Sequence, residues 1–369
     1  MSDLRLGISG ACGRGGSLFS HIGDLFEGVS VTSICDINEE KLEDARLRLN
    51  ARQVFTSFDE MIESGTVDAV LVGTPMHHHV PQARAALEAG VHVLSEVPAG
   101  VSIEECRSLV ETWKAGSATY MMAENYLYSR PNSLVTELVK AGRFGTLYYA
   151  EGEYLHELKE LNEITTWRRK WQTGIDGVTY GTHSLGPLLR WFRGERVVEA
   201  MGAGSGHHYR DPRGVEYENQ ESSIMLCRMS GGGLAKIRVD MLSDRPHAMT
   251  NYQLQGTDGC YESARANGEL NRVWLRESNA PSISWRKLED YEDAYLPESW
   301  RSEAKRAAQS GHGGGDYFVM SEFFSAIREG RQPLIGMHEA MDMTLPGLVS
   351  QQSVTQDGAW LAVPDSRAW

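Results

Sequence analysis

The segment Gly7-Ile8-Ser9-Gly10-Ala11-Cys12-Gly13-Arg14-Gly15-Gly16 holds enough glycine to turn tightly and to let an anion approach the backbone. It follows an apolar run, Leu4–Ser9, and precedes a helical pattern. Loop N–H groups and a helix start in that position suit a pyrophosphate. Gly10 and Gly15 occupy the first and last places of G-x-G-x-x-G, while Cys12 takes the middle one. A second apolar run, Val29–Cys35, ends at Asp36, about 20 residues beyond the loop, where a carboxylate holds a ribose diol and repels a 2′-phosphate. NAD is therefore the expected cofactor. Gly10, Cys12, Gly13, Arg14, Gly15 and Asp36 form its expected contacts. Thr74, Pro75, Glu96, Glu124 and Asn125 follow later strand-like runs, at the sheet edge where ligands bind in such folds, and His79 is placed near the cofactor. Adjacent histidines His77-His78-His79 point in different directions and no cysteine or carboxylate cluster joins them, so no metal is expected.

Tyr180 and His183 lie three residues apart. If Thr182–Trp191 is a helix, His183 is in its first turn and Tyr180 just before it, so both face one cavity and could move a proton there. Tyr154 and His156 alternate along the strand-like segment Tyr148–Leu158 and share a face. In Trp167-Arg168-Arg169-Lys170-Trp171, two aromatics flank three cations. That pattern suits a sugar with a negative group, stacked on tryptophan and held by arginine, or else a solvated helix face with packing tryptophans.

Two arrangements of elements must position these residues. Up to about residue 123, short strands (Leu4–Ser9, Val29–Cys35, Ala69–Val72, Val91–Ser95, Thr119–Ala123) alternate with helical patterns at Leu18–Phe26, Glu39–Asn50, Val80–Ala89 and Ile103–Lys114. That order implies α/β architecture with a parallel sheet and right-handed crossovers, a dinucleotide-binding Rossmann domain over residues 1–125. Over residues 126–369 the pattern turns β-rich, with strands at Leu147–His156, Ser222–Met229, Leu234–Leu242, Asn251–Gln255 and Arg272–Arg276, and closing helices at Asp316–Glu329 and His338–Gln351. This reads as a substrate-binding α/β domain with a mainly antiparallel open sheet, one face covered by helices. Residues 277–312 read as an irregular loop or a partner-contacting arm.

Composition narrows the class. The 369 residues are 41% hydrophobic and 23% charged, with a formal net charge of −14. An acidic chain of this kind is not expected to bind nucleic acid or an anionic membrane. Five cysteines with no Cys-x-x-Cys pair fit a reducing compartment. No signal-peptide pattern is visible and no apolar run approaches the roughly 20 residues of a membrane span, so a cytoplasmic location is expected. The open sheet face suggests a homo-oligomer.

Gly73-Thr74-Pro75-Met76-His77-His78-His79, Gly90-Val91-His92-Val93-Leu94-Ser95-Glu96-Val97-Pro98-Ala99 and Ala123-Glu124-Asn125 resemble the glucose–fructose oxidoreductase/inositol dehydrogenase (Gfo/Idh/MocA) family over most of the chain. Dehydrogenases of that family read Glu-Lys-Pro where this chain has Glu96-Val97-Pro98, and valine cannot move a proton. A narrower resemblance, to the family's NAD-dependent glycosidases typified by α-N-acetylgalactosaminidases, covers Ser95–Ala99, Met122–Asn125, Gly152–His156, Tyr180-Gly181-Thr182-His183-Ser184-Leu185-Gly186-Pro187 and His312–Asp316, with Gly181 in place of the usual proline. NAD-dependent sulfoquinovosidases share the architecture. The resemblance implies hydrolysis of a hexoside through transient oxidation at sugar carbon 3, loss of the aglycone, addition of water and re-reduction. Tyr180 is then the candidate base, its ordinary pKa near 10 lowered by oxidised nicotinamide, with His183 beside it and His156 the candidate acid at the departing oxygen. Tyr154, Trp167, Arg168, Arg169 and Lys170 are candidate sugar contacts, with a lean to an anionic sugar such as a sulfoquinovoside. The alternatives are an NAD-dependent sugar or polyol dehydrogenase, and a non-catalytic sugar–NAD sensor.

Overall fold

In the computed structural model, which describes residues 3–19, 22–246, 248–276 and 283–369, the chain forms two compact units. The first comprises Met1–Asn125, Lys305–Met341 and Ser366–Trp369; the second comprises Tyr126–Ala304 and Asp342–Asp365. The break after Asn125 falls where strand–helix alternation stops, and the chain later returns to the first unit with a helix at Gly315–Glu329.

Six parallel strands build the first unit: β1 (Leu4–Ser9), β2 (Val29–Cys35), β3 (Gln53–Phe55), β4 (Ala69–Val72), β5 (His92–Ser95) and β6 (Tyr120–Met122), in the order β3-β2-β1-β4-β5-β6. All of β4 is apolar because a central parallel strand is covered on both faces; Ala69, Val70, Leu71 and Val72 have no exposed surface. The crossover helix Ile103–Ala115 starts where Ser102 accepts from the Glu105 N–H at 3.1 Å, a Ser-x-x-Glu start signal in the sequence. The strand order reverses between β1 and β4, the switch point at which such sheets bind ligands. One expectation shifts here. The first helix begins at Arg14, not Leu18, and ends at Leu18, with a second at Ile22–Leu25. The glycine turn closes within four residues, Gly13 N–H donating to Gly10 O at 3.1 Å, so the helix starts inside the glycine run. Ser20 and His21, within the expected helix, lie outside the described residues.

The second unit holds β7 (Leu147–Leu155), β8 (Val197–Gly204), β9 (Ser222–Met229), β10 (Leu234–Asp240), β11 (Thr250–Gly256), β12 (Gly259–Glu262), β13 (Arg272–Leu275), β14 (Arg286–Lys287) and β15 (Leu361–Ala362). They form one sheet in the order β14-β13-β12-β11-β7-β10-β9-β8-β15, antiparallel except for the parallel pair β7–β10. In β9, Ser223, Met225, Cys227 and Met229 are buried while Ile224 and Arg228 are exposed, the alternation of a sheet covered on one face. The helix Thr182–Trp191 lies on β7, where the Cβ of any residue replacing Gly152 would stand 2.2 Å from the Ser184 carbonyl oxygen. Only glycine admits that approach.

The described part of 277–312 is not a free arm. It folds into short helical turns, and Arg130 pairs with Glu292 at 2.6 Å while buried Trp300 donates to the Tyr128 carbonyl at 3.2 Å. Residues 277–282 lie outside the described set. No helix among the described residues is long and apolar enough to cross a membrane.

Candidate active site

The glycine loop leaves β1 with Gly10 at φ +79°, a conformation that favours glycine. A Cβ at Gly10 would meet Gly73 O at 2.4 Å, one at Gly15 would meet Ser9 O at 2.6 Å, and one at Gly73 would meet Gly15 Cα at 2.5 Å. The loops after β1 and β4 therefore close into a cradle lined by backbone. The helix that follows is only five residues long, so the loop itself carries most of any anion contact. Asp36 reaches back to this loop, accepting from Cys12 N–H at 2.8 Å and from Asn38 N–H at 2.9 Å. Its partly exposed carboxylate keeps lone pairs for a ribose diol. The cradle and the acceptor fit an NAD. The Cys12 thiol, packed beside Asp36, is pushed up to about 11 by burial first and by that charge second, so it is a poor nucleophile.

The remaining expected cofactor residues fall into two hydrogen-bonded groups and a buried carboxylate. Thr74 and Ser9 hydroxyls both donate to Gln82 Oε1, at 3.2 and 3.0 Å. The His79 ring is buried between Pro98 O at 2.8 Å and Thr74 O at 3.0 Å, tying the loop that includes Pro75 to the turn after β5. Burial holds its pKa below the ordinary value. Arg14 Nε donates to Glu96 at 2.8 Å, and Arg14 Nη2 lies 3.6 Å from Asp316. Glu124 is fully buried. Asn125 donates to Asp316 at 2.9 Å.

In the second unit the aromatic and imidazole candidates converge. The His183 ring is 5.1 Å from Tyr154, 5.4 Å from Tyr180 and 4.9 Å from Tyr126, centroid to centroid. Tyr154 and Tyr180 are 5.8 Å apart, and the Tyr154 hydroxyl bonds His156 Nδ1 at 2.8 Å. His156 stands one residue past the end of β7, not within it, but keeps the face of Tyr154. His183 and Tyr154 are buried; Tyr180, His156 and Tyr126 are half-buried. The close approach at Gly152 sets this cluster, since it seats the first turn of Thr182–Trp191 against β7. Two phenols and two imidazoles linked in this way have the chemistry to pass protons. Tyr126 is a member that the sequence did not disclose: no periodicity links it to His183.

Trp167–Trp171 falls in the helix Thr166–Trp171. Arg169 pairs with Glu218, donates to Glu216 O at 2.8 Å and covers the Tyr217 ring at 4.4 Å. Arg168 lies over Trp167 at 4.5 Å and donates to Gln172 at 2.6 Å, and Lys170 sits 5.1 Å from the Trp171 ring. The cation charge at Arg169 is thus already matched by a carboxylate, which weakens the case for an anionic sugar.

Residues 4–124 match the family model of an oxidoreductase family with an NAD-binding Rossmann fold, and residues 128–368 match that of the glycosyl hydrolase 109 C-terminal domain. The first unit is an NAD-binding Rossmann domain. A glycosyl hydrolase family 109 protein of Saccharopolyspora erythraea is 29% identical, over 98% of this chain and 83% of its own length. An α-N-acetylgalactosaminidase of Shewanella oneidensis is 28% identical, over 99% of this chain and 85% of its own. A solved levoglucosan dehydrogenase, in complex with NADH and L-sorbose, shares the fold with a TM-score of 0.81 at 19% identity, covering 99% of this chain and all of that one.

Proposed function

We propose that this chain, which belongs to the glycosyl hydrolase 109 family, is a glycosidase that hydrolyses a hexoside with NAD as a recycled cofactor. The observation that carries the reading is the convergence of Tyr154 and Tyr180 about His183, with His156 bonded to Tyr154, in the unit that matches the family's own C-terminal domain. Gly10, Cys12, Gly13, Arg14, Gly15 and Asp36 hold the dinucleotide, with Thr74, Pro75, His79, Glu96, Glu124 and Asn125 shaping the rest of its site. When bound, NAD supplies a reversible two-electron oxidation of the sugar carbinol at carbon 3.

The residues of the chain do the proton work. A ketone at carbon 3 acidifies the proton on carbon 2. Tyr180, with His183 against its ring, takes that proton as general base; the electron pair forms the carbon 1–carbon 2 double bond and expels the aglycone. His156, set by its bond to Tyr154, donates a proton to the departing oxygen. Water then adds across the double bond, the oxygen to carbon 1 and a proton to carbon 2. Val97, buried at the place of the family dehydrogenases' lysine, offers no proton acceptor, which favours elimination over simple dehydrogenation.

The substrate we infer is an uncharged hexoside, with an α-N-acetylgalactosaminide first in line because a relative carries that name. A sulfoquinovoside fits less well because Arg169 is engaged by Glu218. The test is cofactor economy. Protein stripped of NAD should be inactive on an aryl α-N-acetylgalactosaminide, and substoichiometric NAD⁺ should restore many turnovers per cofactor. Accumulation of NADH with no phenol release would instead make the chain a sugar dehydrogenase.

A further inference from the structure

Asn125 follows β6 and is only 3% exposed. Its side-chain nitrogen donates to Asp316 Oδ1 at 2.9 Å, while its side-chain oxygen is buried and without a hydrogen-bond partner. A carboxylate accepts and does not donate. Asp316 therefore fixes which end of the amide faces it and leaves the oxygen as an unserved acceptor. Most buried acceptors have a partner in protein, water or ligand.

The Gly311–Asp316 turn is built to hold this arrangement. Asp316 is 2% exposed and His312 Nδ1 lies 2.9 Å from its Oδ2, so that nitrogen carries the proton. Burial alone would raise the Asp316 pKa, but the hydrogen bond from His312 and the charge of Arg14 hold it below the usual carboxylate range. A Cβ at Gly315 would stand 2.6 Å from Asn125 O, and one at Gly311 would stand 2.5 Å from Asp316 Oδ2. Gly315 lets the turn lie directly on Asn125, and Gly311 lets the chain pass close to the Asp316 carboxylate.

Sheet order says which donor would meet the free oxygen. Asp36 directly follows β2, so the adenosine half of the dinucleotide lies on the β2 side of the switch point. The nicotinamide half then lies on the β4-β5-β6 side, which ends at Asn125. The hydrogen-bond donor on the nicotinamide ring is its carboxamide NH₂. We propose that Asp316, held by His312, is a positioning residue that turns the Asn125 amide so that its oxygen accepts from the nicotinamide carboxamide. This inference rests on NAD binding alone, so it stands or falls apart from the glycosidase reading.

The test compares equilibrium binding of NAD⁺ with that of 3-acetylpyridine adenine dinucleotide, in which a methyl replaces the amide NH₂, by calorimetry on the full chain. ADP-ribose, which lacks nicotinamide, reports the adenosine half. The wild-type chain should bind the analogue about 10-fold more weakly than NAD⁺. In Asp316→Asn and in Asn125→Ala that preference should fall below about 2-fold while ADP-ribose affinity is kept. His312→Gln should lie between. A wild-type chain that binds both cofactors equally overturns the proposal, because the Asn125 oxygen then serves water or a sugar hydroxyl. So does an Asp316→Asn chain that keeps the full preference. Should Asp316→Asn lose ADP-ribose binding as well, the decision passes to the other two variants, and an unchanged preference in both overturns it.

Discussion

Gly152 is where a single methyl group should separate catalysis from cofactor binding. In Gly152→Ala the new Cβ would stand 2.2 Å from Ser184 O, 2.9 Å from Ser184 C and 3.2 Å from Ser184 Cα. All three are backbone atoms, so no side chain can swing away. To reach an ordinary contact of about 3.4 Å, the first turn of Thr182–Trp191 must withdraw by about 1 Å. His183 sits in that turn, with its ring 5.1 Å from Tyr154. Overpacking of this kind costs about 1–3 kcal/mol, which for a domain of this size lowers Tm by about 5 °C. A 1 Å misplacement in an active site costs about 100-fold in rate. The expected result is a kcat about 100-fold down on an aryl α-N-acetylgalactosaminide, with NADH affinity by fluorescence titration changed less than about 2-fold. Near-UV circular dichroism at assay temperature should confirm a folded chain. A kcat within about 2-fold of wild type, whatever the Tm, would refute the claim that this contact sets the cluster.

Other perturbations read other parts of the site. Gly73→Ala drives a Cβ to within 2.5 Å of Gly15 Cα and should weaken NADH binding at least about 10-fold in the same titration, through loss of the cradle. Asp36→Ala removes a charged acceptor of ribose hydroxyls; NADH should bind about 10- to 100-fold more weakly, and the preference for NADH over NADPH should shrink. Burial depresses the His79 pKa below 6.5, so the folded chain favours the neutral ring. That contribution to stability is complete above pH 6.5 and is lost as pH falls toward the folded value. Tm should therefore drop between pH 7 and pH 5, with half-buried His92 adding in the same direction, and His79→Gln should flatten the drop. Tyr154→Phe removes the hydroxyl bonded to His156 and should shift the acidic limb of the kcat profile while moving Tm by less than about 3 °C.

Much of this fold is legible where burial imposes one pattern. β4 reads off the sequence to the residue because a central parallel strand is all apolar, and the helix supposed at Thr182–Trp191 stands at those bounds, with every residue but Arg190 buried. Several helices escape that reading. Phe58–Glu63 is too short to show a period, and Arg130–Lys140 opens with Pro131, which looks like a breaker yet is tolerated in a first helical turn. In the site, spacing discloses Tyr154 with His156 and Tyr180 with His183, because each pair is two or three residues apart along one local segment. Spacing says nothing of Tyr126 packing on His183, of Glu218 capturing Arg169 from 49 positions away, or of Asp316 holding Asn125 across 191. Those contacts exist only once the sheets are assembled. The narrower family resemblance carried the His312–Asp316 turn into view but gave it no task; the unserved oxygen of Asn125 supplies one.

Elimination leaves a mark that direct displacement does not. The chain, with catalytic NAD⁺ and an aryl α-N-acetylgalactosaminide in deuterated water, should release phenol and return the sugar with one deuterium at carbon 2, seen by NMR and mass spectrometry, with no net NADH. Phenol release with protium retained at carbon 2 would contradict proton removal by Tyr180 and the redox route it serves.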